Sequence, residues 1–256
     1  MKENSLLTII TPVKNGEKTI EKTIKSIVLQ NDPFVEYIIV DGVSNDKTLD
    51  IIKKYEKNIN KLVSEPDKNL YDAINKGISL ANGEVIGICL SGDDYKPGAF
   101  KIAREYFKKT PNADFFFGTI IRNYTGGTIV KQGFNRKRIL YNFDSQTSIS
   151  SGFFITSIAQ KKVGKYDTNF SISSDYDFFY RLMIKNNLLG VSSKKNEIIG
   201  EMASGGLSSK MSFLGHLKEQ TKIRLKHKQY FMIIPIIINA ILKNIPTIAR
   251  DLKKNL

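Results

Sequence analysis

The sequence predicts an α/β fold: a mostly parallel central sheet flanked by helices, with a C-terminal helical extension. Two observations predict it. Over the first hundred residues, short apolar runs alternate with segments whose apolar residues recur at helical spacing, the pattern of strand–crossover–strand units. Two of the apolar runs also end in acid: Tyr37-Ile38-Ile39-Val40 at Asp41-Gly42, and Val85-Ile86-Gly87-Ile88-Cys89-Leu90 at Ser91-Gly92-Asp93-Asp94. In an open α/β sheet ligands bind outside the carboxyl ends of the strands, so carboxylates there are placed to hold a metal or a polar ligand.

Each element follows in order. Leu6–Ile10 is a short apolar run that Thr11-Pro12-Val13-Lys14-Asn15-Gly16 breaks. Ile20, Ile24, Ile27 and Val28 keep helical spacing, and Tyr37–Val40 is strand-like. Asp46 can cap a helix whose apolar positions are Leu49, Ile51, Ile52 and Tyr55. Ile59–Val63 is again strand-like; Leu70, Ile74, Ile78 and Ala81 form a helical face that Gly83 ends, and Val85–Leu90 is a buried strand. Beyond residue 98 the pattern loosens. Phe115–Phe117 and Thr128–Val130 read as strands with a turn at 124–127, Ile158–Val163 as a short helix closed by Gly164, and Asp175–Lys185 as another helix. The chain divides into a main domain, 1–207, and a tail, 208–256; the halves of the domain are a ligand-binding half, about 1–98, and a second half, about 99–207. Within the tail a basic helix runs from about Met211 to Lys228, and Tyr230–Ile248 is rich in isoleucine.

At 256 residues and 41% hydrophobic composition the chain can bury a proper core. Its formal charge is +14, with 39 Lys and Arg against 25 Asp and Glu. The tail holds ten Lys and Arg against Glu219 and Asp251, more than half of that excess. Such a balance favours an anionic partner: nucleic acid, a phosphorylated small molecule or an acidic membrane surface. Pro235, Asn239, Lys243, Asn244 and Pro246 interrupt the isoleucine-rich segment, which reads as an interfacial or protein-packed helix rather than a span. Cys89 is the single cysteine, inside an apolar run, and reads as a core thiol. The start of the chain carries no signal-peptide pattern, which predicts a cytoplasmic protein, peripheral on the inner face of the membrane through its tail. His216 and His227 have no cysteine partners, so a structural zinc site is not expected. The glycine-rich phosphate-loop and dinucleotide signatures are missing.

The motifs, in order, are Thr11-Pro12-Val13-Lys14-Asn15, Val40-Asp41-Gly42-Val43-Ser44-Asn45-Asp46-Lys47-Thr48, Ser64-Glu65-Pro66-Asp67, Leu70-Tyr71-Asp72-Ala73-Ile74-Asn75-Lys76-Gly77, Gly83-Glu84-Val85-Ile86, Ser91-Gly92-Asp93-Asp94, Gly164-Lys165-Tyr166-Asp167 and Ser174-Asp175-Tyr176-Asp177. In this order and spacing the chain resembles the family 2 glycosyltransferases, which have the GT-A fold, over about residues 6–190. It looks closest to members that act on bacterial surface polysaccharides.

The resemblance implies a donor that is a nucleoside diphosphate sugar, a UDP-sugar favoured, and an acceptor that is a glycan or lipid-linked. Departure of a nucleoside diphosphate needs charge neutralisation, usually by Mg²⁺ or Mn²⁺, held by one or two carboxylates and the phosphates. Asp93 and Asp94 fit that role; the bland reading is an acidic turn. The usual pattern has two acids separated by one residue, positions that fall here on Leu90 and Gly92, so Asp93 is favoured over Asp94. By resemblance Asp41 accepts the N3–H of a uracil or thymine base; otherwise it caps the Ser44–Lys47 turn. Pro12, Val13 and Lys14 would line the base pocket, and Asn15, Asp67, Lys68, Ser91 and Gly92 would meet the donor. Lys68 is read equally well as a solvated surface lysine. Asp175 matches the family's catalytic base, with Ser174 where glutamate is usual; the alternative is a helix N-cap. Asp177 either caps its helix or pairs with Arg181 at i, i+4. Two rival functions remain: a non-catalytic nucleic-acid binder using the basic tail, although no nucleic-acid-binding motif is present, and a degenerate member that binds glycan without turnover.

Overall fold

In the computed structural model, residues 5–124, 126–141, 149–206, 211–231, 233–235 and 238 are described. Eleven strands form two sheets among them. The strands are β1 Leu7–Val13, β2 Val35–Asp41, β3 Lys61–Ser64, β4 Val85–Ile88, β5 Asp94–Tyr95, β6 Phe115–Phe117, β7 Thr119–Tyr124, β8 Gly127–Lys131, β9 Phe153–Thr156, β10 Gly190–Ser192 and β11 Ile198–Met202. The helices are α1 Ile20–Val28, α2 Thr48–Lys53, α3 Leu70–Leu80, α4 Ala99–Lys109, α5 Arg136–Tyr141, α6 Ser157–Val163, α7 Ser174–Tyr180 and α8 Phe213–Lys226.

The main sheet has the order β10-β6-β9-β4-β1-β2-β3. β1, β2, β3 and β4 run parallel, as the alternation predicts, and β9 is inserted antiparallel between β4 and β6. The smaller sheet, β5-β11-β7-β8, carries the loop that follows β4. Side chains alternate between two cores. Ile10, Ile38, Val40, Ile86 and Ile88 face α3 and α7, whereas Leu7, Ile9, Tyr37, Ile39 and Val85 face α1 and α4. That alternation is the period-2 consequence of the pleat, and it leaves these strands apolar on both faces.

Several boundaries differ from the sequence reading, among them those of β1, β4 and the helix read as 175–185. β1 does not stop at Ile10 but continues through Pro12 to Val13, in register with β2 up to Val13 opposite Asp41. β4 pairs with β1 only as far as Ile10 opposite Ile88. Pro12 therefore lies where β1 has a single neighbour, a position that tolerates its missing N–H. The turn at 124–127 joins β7 to β8; Thr125 lies outside the described residues. The helix read as 175–185 is α7 followed by one π-type turn, Arg181–Lys185.

α3 shows how tightly the first half is built. Asn69 caps it by accepting from the Tyr71 and Asp72 amides. Gly77 lies against β1, where an added Cβ would stand 2.3 Å from Ile10 Cγ2.

Candidate active site

The loops that leave β1, β2 and β4 at their carboxyl ends are knitted together by polar side chains. Asn15 adopts a left-handed conformation with φ 52°, which asparagine tolerates. Its amide donates to Ser44 Oγ at 2.8 Å, and its Oδ1 accepts from Asn45 N at 3.0 Å. Val43 also has positive φ, 59°, in a branched residue for which that conformation is costly. Pro12 and Val13 are buried in the strand end, and Lys14 is exposed beyond them.

Asp41 is fully buried. Its carboxylate accepts from Ser44 N at 3.0 Å, from Ser64 Oγ at 2.7 Å and from Ser44 Oγ. It therefore caps the turn at Ser44, the alternative recognised from the sequence. An ionised carboxylate offers about four acceptor positions, so three donors leave it one. Gly42 brings the neighbouring groups close: a Cβ there would stand 2.8 Å from Asp67 Oδ2 and 3.3 Å from Lys14 Cδ. Asp67 is paired with Lys76 at 2.6 Å. Lys68 is an exposed surface lysine whose Nζ also donates to Asn169 Oδ1 at 3.2 Å across the seam between the halves.

The acids after β4 separate into two environments. Ser91 shares a 2.8 Å hydrogen bond with Thr19 Oγ1, and Gly92 turns at φ 104° with its amide on Thr23 Oγ1 at 2.9 Å. This turn drives Asp93 inward. Asp93 is buried, and Ala203 N donates to its Oδ1 at 2.8 Å. Burial pushes its pKa up to about 6 against a hydrogen bond from Ser150. Asp94 instead pairs with Lys22 at 2.5 Å and Lys96 at 3.3 Å. Among the described residues no group of three or more His, Cys, Asp or Glu is arranged to hold a metal.

Asp175 lies one residue inside α7, and the N-cap position belongs to Ser173. The half-buried Asp175 carboxylate accepts from Tyr176 N at 2.8 Å and from the Tyr71 hydroxyl at 3.4 Å. Burial pushes its pKa up to about 6, and the charge of Arg122 on β7 acts weakly in the other direction. Tyr71 belongs to α3 in the first half, so the two halves of the chain meet at this carboxylate. Asp177 has a different fate. It is buried and paired with Arg181 Nε at 2.9 Å, as the i, i+4 spacing predicts, and also with Lys226 at 2.8 Å and His227 at 2.9 Å. Burial alone would raise its pKa, but these partners hold it well below the usual carboxylate range.

Sequence reading assigned no part to Ser150, the Ala203 amide, Tyr71 or Arg122. Tyr71 had a signal, since it lies in the quoted Leu70-Tyr71-Asp72 motif. Ser150 and Ala203 had none, because only the return of β9 and β11 brings them to Asp93.

The sheet order, with acids at the carboxyl edge and a second small sheet closing over them, defines the class: this is a GT-A fold. The Glycosyl transferase family 2 model matches residues 8–163, and the chain belongs to that family and is a glycosyltransferase. It is 27% identical over 241 residues to a PGL/p-HBAD biosynthesis glycosyltransferase of Mycobacterium bovis, covering 86% of this chain and 87% of the relative. It is 33% identical over 116 residues to TuaG, a putative teichuronic acid biosynthesis glycosyltransferase of Bacillus subtilis, covering 44% of this chain and 46% of that one. Among solved structures it superposes on residues 1–349 of TarS from S. aureus in complex with UDP-GlcNAc, with TM-score 0.69 and 19% identity over 86% of this chain and 66% of that one. A mannosyltransferase of Pyrobaculum calidifontis in complex with GDP-Man and Mn²⁺ superposes with TM-score 0.62 and 13% identity, over 88% of this chain and 64% of that one. The chain thus spans two thirds or less of these solved structures.

Proposed function

We propose that this glycosyltransferase inverts configuration while moving a hexose-type sugar from a nucleoside diphosphate donor, a UDP-sugar favoured, to a glycan or lipid-linked acceptor in surface polysaccharide synthesis. The observation that carries this reading is the Asp175 carboxylate, placed at the seam of the two halves with its pKa raised to about 6. A base poised near the working pH is what removal of an acceptor hydroxyl proton needs. The TarS neighbour's complexes with UDP and UDP-GlcNAc, and the mannosyltransferase's with GDP-Man and Mn²⁺, support a nucleotide-sugar donor.

In this mechanism the remaining acceptor position of Asp41 takes the base N3–H, while Pro12, Val13 and Asn15 form the wall of the base pocket. Lys14 and Lys68 offset diphosphate charge. Asp67, locked by Lys76, and the Ser91-Gly92 turn shape the nucleotide side. Asp93 fits a divalent cation, Mn²⁺ or Mg²⁺: a buried oxygen donor whose charge is under-compensated gains from one, and such ions use one or two carboxylates with substrate phosphates. Asp94, already matched by two lysines, suits the cation less. When bound, the ion neutralises the charge that develops on the leaving diphosphate. Asp175 then receives the proton of the attacking hydroxyl. The basic tail would bring the enzyme to the inner face of the membrane, where a lipid-linked acceptor would lie; the exposed Leu214, Tyr230, Phe231, Ile234 and Ile238 support this. No helix among the described residues is long and apolar enough to cross a membrane.

The test is a panel of UDP-, GDP- and dTDP-sugars with and without Mn²⁺, read by thermal shift and by release of nucleoside diphosphate. One donor should stabilise the protein in a Mn²⁺-dependent way and turn over. Asp93→Ala should lose the Mn²⁺-dependent stabilisation, and Asp175→Asn should bind the donor yet turn it over 10²- to 10⁴-fold more slowly. Full turnover by both variants would overturn the mechanism.

A further inference from the structure

Helix α8, in the C-terminal tail, reaches the active site through one side chain. Glu219, on α8, is one of only two acids in the strongly basic stretch from 208 to 256. Its carboxylate accepts three backbone amides in succession, those of Ser171 at 2.6 Å, Ile172 at 3.2 Å and Ser173 at 2.9 Å. These residues form the loop that enters α7, and Ser173 is the N-cap of the helix on which Asp175 sits. Without Glu219 the three N–H groups have no helical or strand partner in this part of the fold. The same loop is held from the opposite side, because the Tyr71 hydroxyl donates its single proton to Ile172 O and shares it, at the longer distance of 3.4 Å, with Asp175. The Ile172 amide and carbonyl are thereby tied to two different elements, α8 and α3. Further bonds seat α8 beside this loop. Lys226 pairs with Asp167 at 2.7 Å and Asp177 at 2.8 Å, and Ile223 is fully buried in the core that α7 also fills.

We propose that Glu219 is a positioning residue for Asp175, so that α8 is a working part of the active site rather than an appendage to it. This inference rests on the reading of Asp175 as the base. Charge-assisted bonds from a carboxylate to backbone amides are among the stronger hydrogen bonds of a fold, and three of them on consecutive residues fix both the path of the loop and the direction in which α7 leaves it. A displacement of the base by about an ångström can cost on the order of 10²-fold in rate. Glutamine in place of Glu219 would keep the shape but present an NH₂ group to amides that need acceptors.

The experiment is a double-mutant cycle in the full-length protein, using Glu219→Gln, Glu219→Asp, Asp175→Asn and the double variant Glu219→Gln/Asp175→Asn. Turnover is read as UDP release from UDP-GlcNAc or whichever panel donor reacts. Amide exchange at Ser171, Ile172 and Ser173 supplies a readout that needs no turnover. Glu219→Gln should lower kcat about 10- to 100-fold, with the KM for donor changed less than about twofold. Its three amides should lose protection while the central strands keep theirs. Glu219→Asp, which keeps the charge, should recover part of the rate. In the Asp175→Asn background the glutamine change should have no further effect on the residual rate.

An equal loss in both backgrounds would show that Glu219 does not act through Asp175 and would overturn the inference. Unchanged kcat or unchanged protection in Glu219→Gln would overturn it as well. Failure of the underlying reading shows separately, as full turnover by Asp175→Asn alone, and that result would remove the inference with it.

Discussion

The role proposed for Asp175 comes with a stability cost. Its pKa in the fold is about 6 against 3.8 for an unperturbed aspartate. Between about pH 4 and 6 the native state therefore holds a proton that the unfolded chain has released. Native stability falls as pH rises through that window, and at neutral pH the ionised carboxylate is a net cost. Asp175→Asn should accordingly raise stability at pH 7 by about 1–3 kcal/mol, measured by urea unfolding, while turnover collapses. The wild-type rate should fall with an acid limb near pH 6. A wild-type rate flat down to pH 5 would contradict the assignment of Asp175. At the same scale, Asp41 and Asp93 were both legible as strand-end acids. Of their donors only the Ser44 turn was: Ser64 comes from the neighbouring strand, and Ser150 and Ala203 lie more than fifty residues beyond Asp93. The sequence favoured Asp93 over Asp94 by motif position alone. The turn at Gly92 sends one inward to Ala203 and leaves the other to Lys22 and Lys96.

Among the elements, β1 to β4 and α1 to α3 were legible because each follows its neighbour along the chain and its periodicity is undisturbed. β9, β10 and β11 were not. Each is only three to five residues long, and each pairs with a strand remote in sequence. The basic helix was legible as a helix at about 211–228 and is observed at Phe213–Lys226. Its packing was not legible: a run of lysines reads as a solvated face, yet Ile223 and Arg224 are fully buried and Lys226 is committed to two aspartates. Ile223→Ala should destabilise the protein by about 2–4 kcal/mol, the cost of a cavity in a packed core. That corresponds to a fall in Tm of roughly 4–16 °C for a chain of this size. A change below 1 °C in calorimetry would mean that α8 is not docked in solution.

For the whole molecule, the +14 charge is the dominant long-range property. With exposed Leu214, Tyr230, Phe231 and Ile234 near the basic helix, it predicts binding to vesicles of anionic phospholipid. Sedimentation should show binding that weakens several-fold between about 50 and 200 mM salt and is much weaker to zwitterionic vesicles. Equal binding to both lipids would remove charge from the account. About half of the tail, residues 208–210, 232, 236–237 and 239–256, lies outside the described residues.

By itself the sequence determined the class of fold, the family and most of the residues to examine, because local periodicity and motif order are properties of the chain taken in a line. Only the tertiary structure decided which acid faces which partner. It placed Asp93 beside Ser150 and Ala203, joined Tyr71 to Asp175 across the seam, and set Glu219 against the three amides before α7. The physical reason is common to all three. A carboxylate's charge state and orientation depend on burial and on donors brought from elsewhere in the chain, and no local pattern encodes a contact between residues 93 and 203 or between 172 and 219.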